Sequence, residues 1–269
     1  MVNIFNIKGE VQGSMNMPVQ FSESYRPDLI KKAVLALQSH KIQKTMSKKG
    51  AGNVHSAEVS KRRREYRGTY GIGQSRTPRK VMNRKGSRFS MHGANVPQSV
   101  GGRTAHPSVA EKIVAEKINS KERQKAIRSA ISATGIRKLV EARGHKVNSL
   151  KEFPVIAKEE IEDLTKAKEI KALMDVLGLK SEMERTKQKK IRAGKGKVRG
   201  RPYKKRVGPL FVVSKKCGLL NAAKNISGSD VVQVKDLNAE LLAPGAQAGR
   251  LVIWSEAAIS KMDEKKMFM

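Results

Sequence analysis

At 269 residues, with 56 Lys and Arg against 24 Asp and Glu, the chain carries a formal net charge of +32. Self-repulsion at that charge disfavours an isolated compact chain, and a polyanionic partner removes the penalty while releasing condensed counterions. No apolar run approaches the roughly 20 residues of a transmembrane helix, the opening MVNIFNIKGEVQG lacks the apolar region of a signal peptide, and lone Cys217 permits no intramolecular disulfide.

The expected setting is therefore intracellular, and the expected polyanion is nucleic acid rather than a membrane. Along the chain, Val2, Ile4, Phe5 and Ile7 are followed by Val11, Met15 and Met17, which predicts a strand pair turning near Lys8–Glu10. Pro27-Asp28 then opens a helix with Leu29, Ile30, Ala33, Val34 and Leu37 on one face, fading between Ser39 and Gln43. From about Lys44 to Pro107, fifteen Lys or Arg face two acids, Glu58 and Glu65, and glycine recurs from Gly50 to Gly102. A stretch this long without a packing face belongs inside a domain only if it is disordered or serves a partner.

Ser108 and Glu111 form the S-x-x-E pattern of a capping box, and Val109, Ile113, Val114 and Ile118 predict a helix behind it. A second helix is expected from about Ser120, with Ala126, Ile127, Ala130 and Ile131 inward and Gly135 near its end. Beyond Phe153, apolar runs alternate with helical ones. Pro154–Ala157 reads as a strand, and one helix carries Ile161, Leu164, Ala167, Ile170, Leu173 and Leu177. Leu210–Val213 is the next strand, before a short helix over Leu219–Lys224. Val231–Val234 and Leu251–Trp254 are further strands, and a helix over Ser255–Lys265 closes the pattern. Near-continuous apolar strands separated by helices indicate an α/β fold with a mostly parallel sheet covered on both faces. The expected organisation is one α/β domain from residues 1–43 and 107–269, with 44–106 as a long basic excursion. A second basic block, Lys187–Arg206, holds eleven positive residues and no acid, and is expected as a surface loop.

Signals for catalysis are weak. Gly71-Ile72-Gly73-Gln74-Ser75-Arg76 departs from a dinucleotide fingerprint at Arg76, and Gly196-Lys197 is followed by Val198 where a P-loop needs Ser or Thr. His40, His55, His92, His106 and His145 have no metal-ligand spacing, and Cys217 reads as a small apolar residue near the sheet. Glu159, Glu160, Glu162 and Asp163 suit the first turn of a helix, where acids complement the macrodipole, and Trp254 reads as core. No catalytic residue, cofactor site or metal site is assigned.

The basic segments are the candidates. In Lys61-Arg62-Arg63-Arg64-Glu65-Tyr66-Arg67, guanidinium forks can grip phosphates bidentately. Arg76, Arg79, Lys80, Arg84, Lys85, Arg88, Arg103 and His106 extend that surface, and Lys195, Lys197, Arg199, Arg201, Lys204, Lys205 and Arg206 form the second block. Tyr66, Tyr70 and Phe89 are placed either to stack on unpaired bases or to form a small local cluster. Glycines beside arginines allow close approach to phosphates, and no recognition helix, zinc finger or basic zipper is present for a DNA groove. The residues thus favour a structural protein of folded RNA. An RNA-modifying enzyme on a parallel sheet and a free nucleic-acid-packaging protein remain as alternatives.

Several blocks stand out together: Val100-Gly101-Gly102-Arg103-Thr104-Ala105-His106-Pro107, Lys121-Glu122-Arg123, Ala126-Ile127-Arg128-Ser129-Ala130, Gly196–Arg201, Leu237–Gly245 and Gly249-Arg250-Leu251, with the Pro27–Ile30 helix start. In this order they are similar to the archaeal and eukaryotic branch of the family of ribosomal protein four of the large subunit. Thr104 stands where a second arginine is common and Ser108 where a second proline is common. The resemblance implies a Rossmann-like α/β domain on the outer face of the large subunit, without enzymatic activity. It also implies a long loop threading large-subunit rRNA to the nascent-peptide exit tunnel. Carried onto this chain, the tip falls between Gly68 and Arg79, including Tyr70, Gly71, Gly73 and Arg76. The implied partners are large-subunit rRNA, neighbouring ribosomal proteins and the nascent peptide near the tip, in the cytoplasm within the ribosome. Eukaryotic members carry a long extension beyond the position of Met269, so the resemblance points to the archaeal side.

Overall fold

The apolar runs assemble as strands of one sheet, and their amphipathic neighbours cover it. The computed structural model describes residues 1–66, 68–150 and 152–269, in two units: Met1–Lys41 with Ala115–Met269, and Ile42–Val114. In chain order the elements begin with β1 (Val2–Phe5), β2 (Val11–Met15), α1 (Pro27–His40), β3 (Arg79–Lys85), β4 (Arg88–Gly93), α2 (Ser120–Thr134), α3 (Arg137–Ala142) and β5 (Val155–Ala157). They continue with α4 (Ala167–Val176), α5 (Lys180–Lys187), β6 (Lys189–Ile191), β7 (Tyr203–Lys205), β8 (Leu210–Val213), α6 (Leu219–Ala222), β9 (Asp230–Gln233), α7 (Ala239–Leu242), β10 (Val252–Ser255) and α8 (Glu256–Glu264).

Six strands form the sheet in the order β2-β1-β5-β10-β8-β9. Every neighbouring pair is parallel except β1–β2, a hairpin turning through Asn6–Glu10. Taken in chain order the five parallel strands lie 1-2-5-3-4, an order distinct from the 3-2-1-4-5-6 of two-halved dinucleotide-binding sheets.

The register explains why these strands are apolar throughout. Ile4, Ile156, Trp254, Val212 and Val232 are successive cross-strand partners and belong to one core. That core is closed by Ile30 and Val34 of α1, Ala126 and Ala130 of α2, Leu242 of α7 and Ile259 of α8. The next row, Val155, Ile253 and Phe211, faces the second core, closed by Val140 of α3, Ile170 and Leu173 of α4, Met183 of α5 and Leu219 of α6. Side chains alternate across a strand, so a strand buried on both faces needs an apolar residue at every position. Trp254 is fully buried at the centre, with Phe21 edge-on at 5.2 Å between ring centroids.

Two helix expectations need correction. The capping box at Ser108–Glu111 starts no helix: 108–118 lacks regular structure, and Ile113 is 82% exposed. A short helix draws its stability from an apolar face buried against a partner, and Val109 and Ile113 stay in solvent. The single helix expected over Ile161–Leu177 is instead a 3-10 turn, Glu159–Asp163, followed by α4 from Ala167 and, after Gly178, by α5.

That break has a polar cause. Glu162, expected among the first-turn acids of a helix, is fully buried. Its Oε1 accepts from the Ser214 amide at 2.7 Å and the Ser255 hydroxyl at 2.8 Å, and its Oε2 accepts from the Ser214 hydroxyl at 2.8 Å. One carboxylate thus joins the carboxyl ends of β8 and β10 to the turn after β5. No helix among the described residues is long and apolar enough to cross a membrane. Replacing Glu162 by Ala strands three buried donors and is expected to cost about 3 kcal/mol of unfolding free energy, with Gln costing less. Urea unfolding of the two variants measures both.

Candidate nucleic-acid interface

Within Ile42–Val114 the described side chains that are buried number two, Thr69 and Ala94, so main-chain pairing rather than a core gives the segment its shape. In this stretch, read as having no packing face, β3 and β4 form an antiparallel hairpin joined by Gly86-Ser87. Lys85 pairs with Arg88 across that two-residue turn, and Gly86 alone of the two central residues takes a positive φ (59°), as a II′ turn requires. Elsewhere the chain crosses itself closely. A Cβ on Gly102 would lie 2.0 Å from the Val96 carbonyl oxygen, so only glycine fits beside Arg103.

The hairpin collects part of the predicted cationic set. Lys61, Arg62, Arg79 and Lys80 line an open cleft of about 790 Å³ with Tyr66, Thr69, Val81 and Met91. Arg62 pairs with Glu65 at 3.2 Å, and Ser60 also donates to Glu65. Arg79 turns back onto its own loop, donating to the Ser75 carbonyl and to the Ser75 hydroxyl. Arg84 and the Lys85–Arg88 pair sit at the hairpin end, whereas Arg63, Arg64 and His106 are simply exposed. Arg67 lies outside the described residues.

The aromatic residues contact their own neighbours. Tyr66 stands edge-on to Phe89 with ring centroids 5.3 Å apart, and the Arg84 guanidinium lies 5.7 Å from the Phe89 ring. The Arg76 guanidinium lies 4.2 Å over Tyr70. Tyr66 and Phe89 thus touch each other, and an arginine lies over two of the three rings.

Within Lys187–Arg206, expected as a surface loop, the two ends of the excursion pair as a short two-stranded ribbon below a loop at 192–202. β6 and β7 pair Lys189 with Lys205, Lys190 with Lys204 and Ile191 with Tyr203. Pairing satisfies backbone groups that a loop would leave to water. Arg192 braces the tip by donating to the carbonyls of Arg201 and Tyr203 at 3.0 and 3.3 Å. Lys195, Lys197, Arg199, Arg201, Lys204, Lys205 and Arg206 are all exposed. Of the nineteen candidate lysines and arginines, those described include one ion-paired residue, Arg62.

A family model for the ribosomal protein L4/L1 family matches residues 16–265. The chain belongs to the ribosomal protein L4/L1 family. It is 47% identical over 268 residues to the large ribosomal subunit protein uL4 of Nanoarchaeum equitans, covering 99% of each chain. The proteins of the same name from Methanococcoides burtonii and Methanosphaera stadtmanae are 45% and 42% identical over 262 and 264 residues. Those matches span 97% of this chain and 97% of the first relative, and 98% of this chain and 96% of the second.

In this L4/L1-family chain the ribbon is rooted in a buried polar cluster that sequence reading missed. Arg185, just before the ribbon, donates through Nε and Nη2 to the Glu182 carboxylate at 2.7 and 2.6 Å. Nη2 also reaches the carbonyl of Val207, just after the ribbon, at 2.7 Å. His145 Nδ1 lies 2.7 Å from Glu182 Oε1, and the Lys146 amide donates to Oε2 at 3.0 Å. His145 is 37 positions from Glu182, so no local spacing signals the contact. Burial opposes the charge on Glu182, but the hydrogen bonds from Arg185, His145 and Lys146 outweigh it and hold the carboxyl at about 2. Burial pushes His145 below its usual value against the pull of Glu182. Both groups therefore bind more protons unfolded than folded, and both oppose unfolding less as pH falls. Stability is expected to decline below pH 6.5 as the unfolded histidine takes up its proton, and again from pH 4.5 towards 2 through Glu182. Urea midpoints against pH check this, and Glu182→Gln should flatten the lower limb.

Proposed function

We propose that this chain is a non-catalytic structural constituent of the large ribosomal subunit, which binds large-subunit rRNA and assists its assembly in the cytoplasm. The observation that carries the reading is the separation of charge from pairing. The family's relatives bear the name of a large-subunit protein, and the candidate cations described have Arg62–Glu65 as their one ion pair. Phosphates supply the missing anions. The enzyme alternative has less support, because β1 runs into a hairpin turn at Asn6–Glu10 where a nucleotide-binding sheet has a glycine-rich turn and a helix.

The finer reading concerns the basic segment. We propose that the globular domain comprises residues 1–43 and 107–269 and that 44–106 is an extended loop threading rRNA to the exit-tunnel wall. The cations named above from Lys61 to His106 contact phosphates along it, and those from Lys195 to Arg206 contact rRNA beside the domain. Gly68, Tyr70, Gly71, Gly73, Arg76 and Arg79 lie at the tip, near the nascent peptide, and neighbouring ribosomal proteins complete the surroundings. With Thr69 and Ala94 as the buried side chains among its described residues, the segment has too little burial to be held by its own core, so RNA supplies the order.

Crosslinking within native, salt-washed ribosomes, read position by position from 62 to 88, tests the reading. Crosslinks from Gly68–Arg79 to tunnel-wall RNA or to a stalled nascent peptide are expected. Release of the chain at moderate salt, or crosslinks to surface RNA alone, would remove the tunnel role. With about ten phosphates neutralised, the log–log salt slope for binding rRNA should be roughly −7 to −9, and duplex DNA should bind more weakly than the chain's own rRNA.

A further inference from the structure

Every residue of β6 and β7 is exposed, so neither face of the ribbon packs against the protein. Directly opposed residues share a face and successive residues alternate. Lys189 and Lys205 therefore project to one side, and Lys190 and Lys204 to the other. None of the four has a carboxylate partner among the described residues.

This arrangement opposes the ribbon's own stability. Like charges directly opposite each other weaken strand pairing, and a lone two-stranded ribbon is marginal in water. A patch meant to lie flat on RNA needs cations on one face and can leave the other neutral. Here the charge is duplicated on both faces. Resting on the rRNA-binding function proposed above, we infer that the ribbon is a wedge seated between two phosphate backbones of folded RNA, with one lysine pair against each.

A cleft between two packed RNA helices presents two such phosphate walls, whereas the deep, narrow major groove of a single A-form helix is closed even to side chains. The Lys189 ammonium lies 5.8 Å over the Tyr203 ring on one face, so the aromatic ring there is engaged by its own chain and the contact is to backbone rather than to bases. Arg185, bound to Glu182 and to the Val207 carbonyl, fixes the base from which the wedge projects.

The test uses the full chain and a transcript of the organism's own large-subunit rRNA, with affinity measured across a salt series. Lys189→Gln with Lys205→Gln, and Lys190→Gln with Lys204→Gln, should each flatten the log–log slope by about 1.4–1.8, and the four changes together by about 3. Arginine at the same positions should restore the slope. All variants should keep the wild-type thermal transition, since the lysines touch no core. If one pair flattens the slope and the other leaves it unchanged, the ribbon lies on a single RNA surface and the wedge is wrong. If neither pair matters while the wild-type slope stays steep, the ribbon meets something other than RNA, such as an acidic protein, and the wedge is equally overturned. A wild-type chain without salt-dependent affinity would instead overturn rRNA binding itself, and this inference with it.

Discussion

A lysine or arginine without a carboxylate must stay in water or meet an external anion, because burying it unpaired costs more than nearby packing can offset. This chain meets that constraint by sorting its acids. The salt bridges among the described residues lie in Met1–Lys41 with Ala115–Met269, apart from Arg62–Glu65. The segments with surplus cations have almost no buried side chains, and the part with a core has acids to spend on pairing. Core and surplus charge are thus built from different stretches of one chain.

The buried charges that remain tie the ends of the sheet. At the carboxyl ends of β8 and β10, Glu162 accepts from Ser214 and Ser255. At the amino ends, Arg250 is almost wholly buried and donates to the carbonyls of Gly208 and Leu241 at 2.9 and 3.0 Å and to the Asp230 carboxylate. Parallel strands need long connections, and these residues secure strand ends that arrive from distant parts of the chain. The Arg185–Glu182–His145 cluster does the same for the ribbon, whose two strands emerge beside Lys187 and Val207. Each cluster therefore links a basic projection or a strand end to the two-sided core.

Physical patterns with short range were legible in the sequence. Four-residue apolar runs became the central strands because burial on both faces demands them, and Pro27 started α1 where its fixed φ suits a first helical turn. The family blocks, spread from Pro27 to Leu251, carried the identity because their order reflects the whole chain. The basic segments stood out because clustered charge without acids requires no tertiary knowledge to detect. What sequence alone determined was therefore the α/β class, the locations of the strand runs and the strongly basic stretches. Tertiary structure decided which helices formed, since Val109 and Ile113 found no surface to cover while Glu162 was drawn inward by hydroxyls 52 and 93 positions away. It also decided that Lys189–Ile191 pairs with Tyr203–Lys205 as a ribbon, and hence that its lysines point two ways. Strand register and long-range hydrogen bonds depend on which distant segments meet, and no local pattern of residue types carries that information.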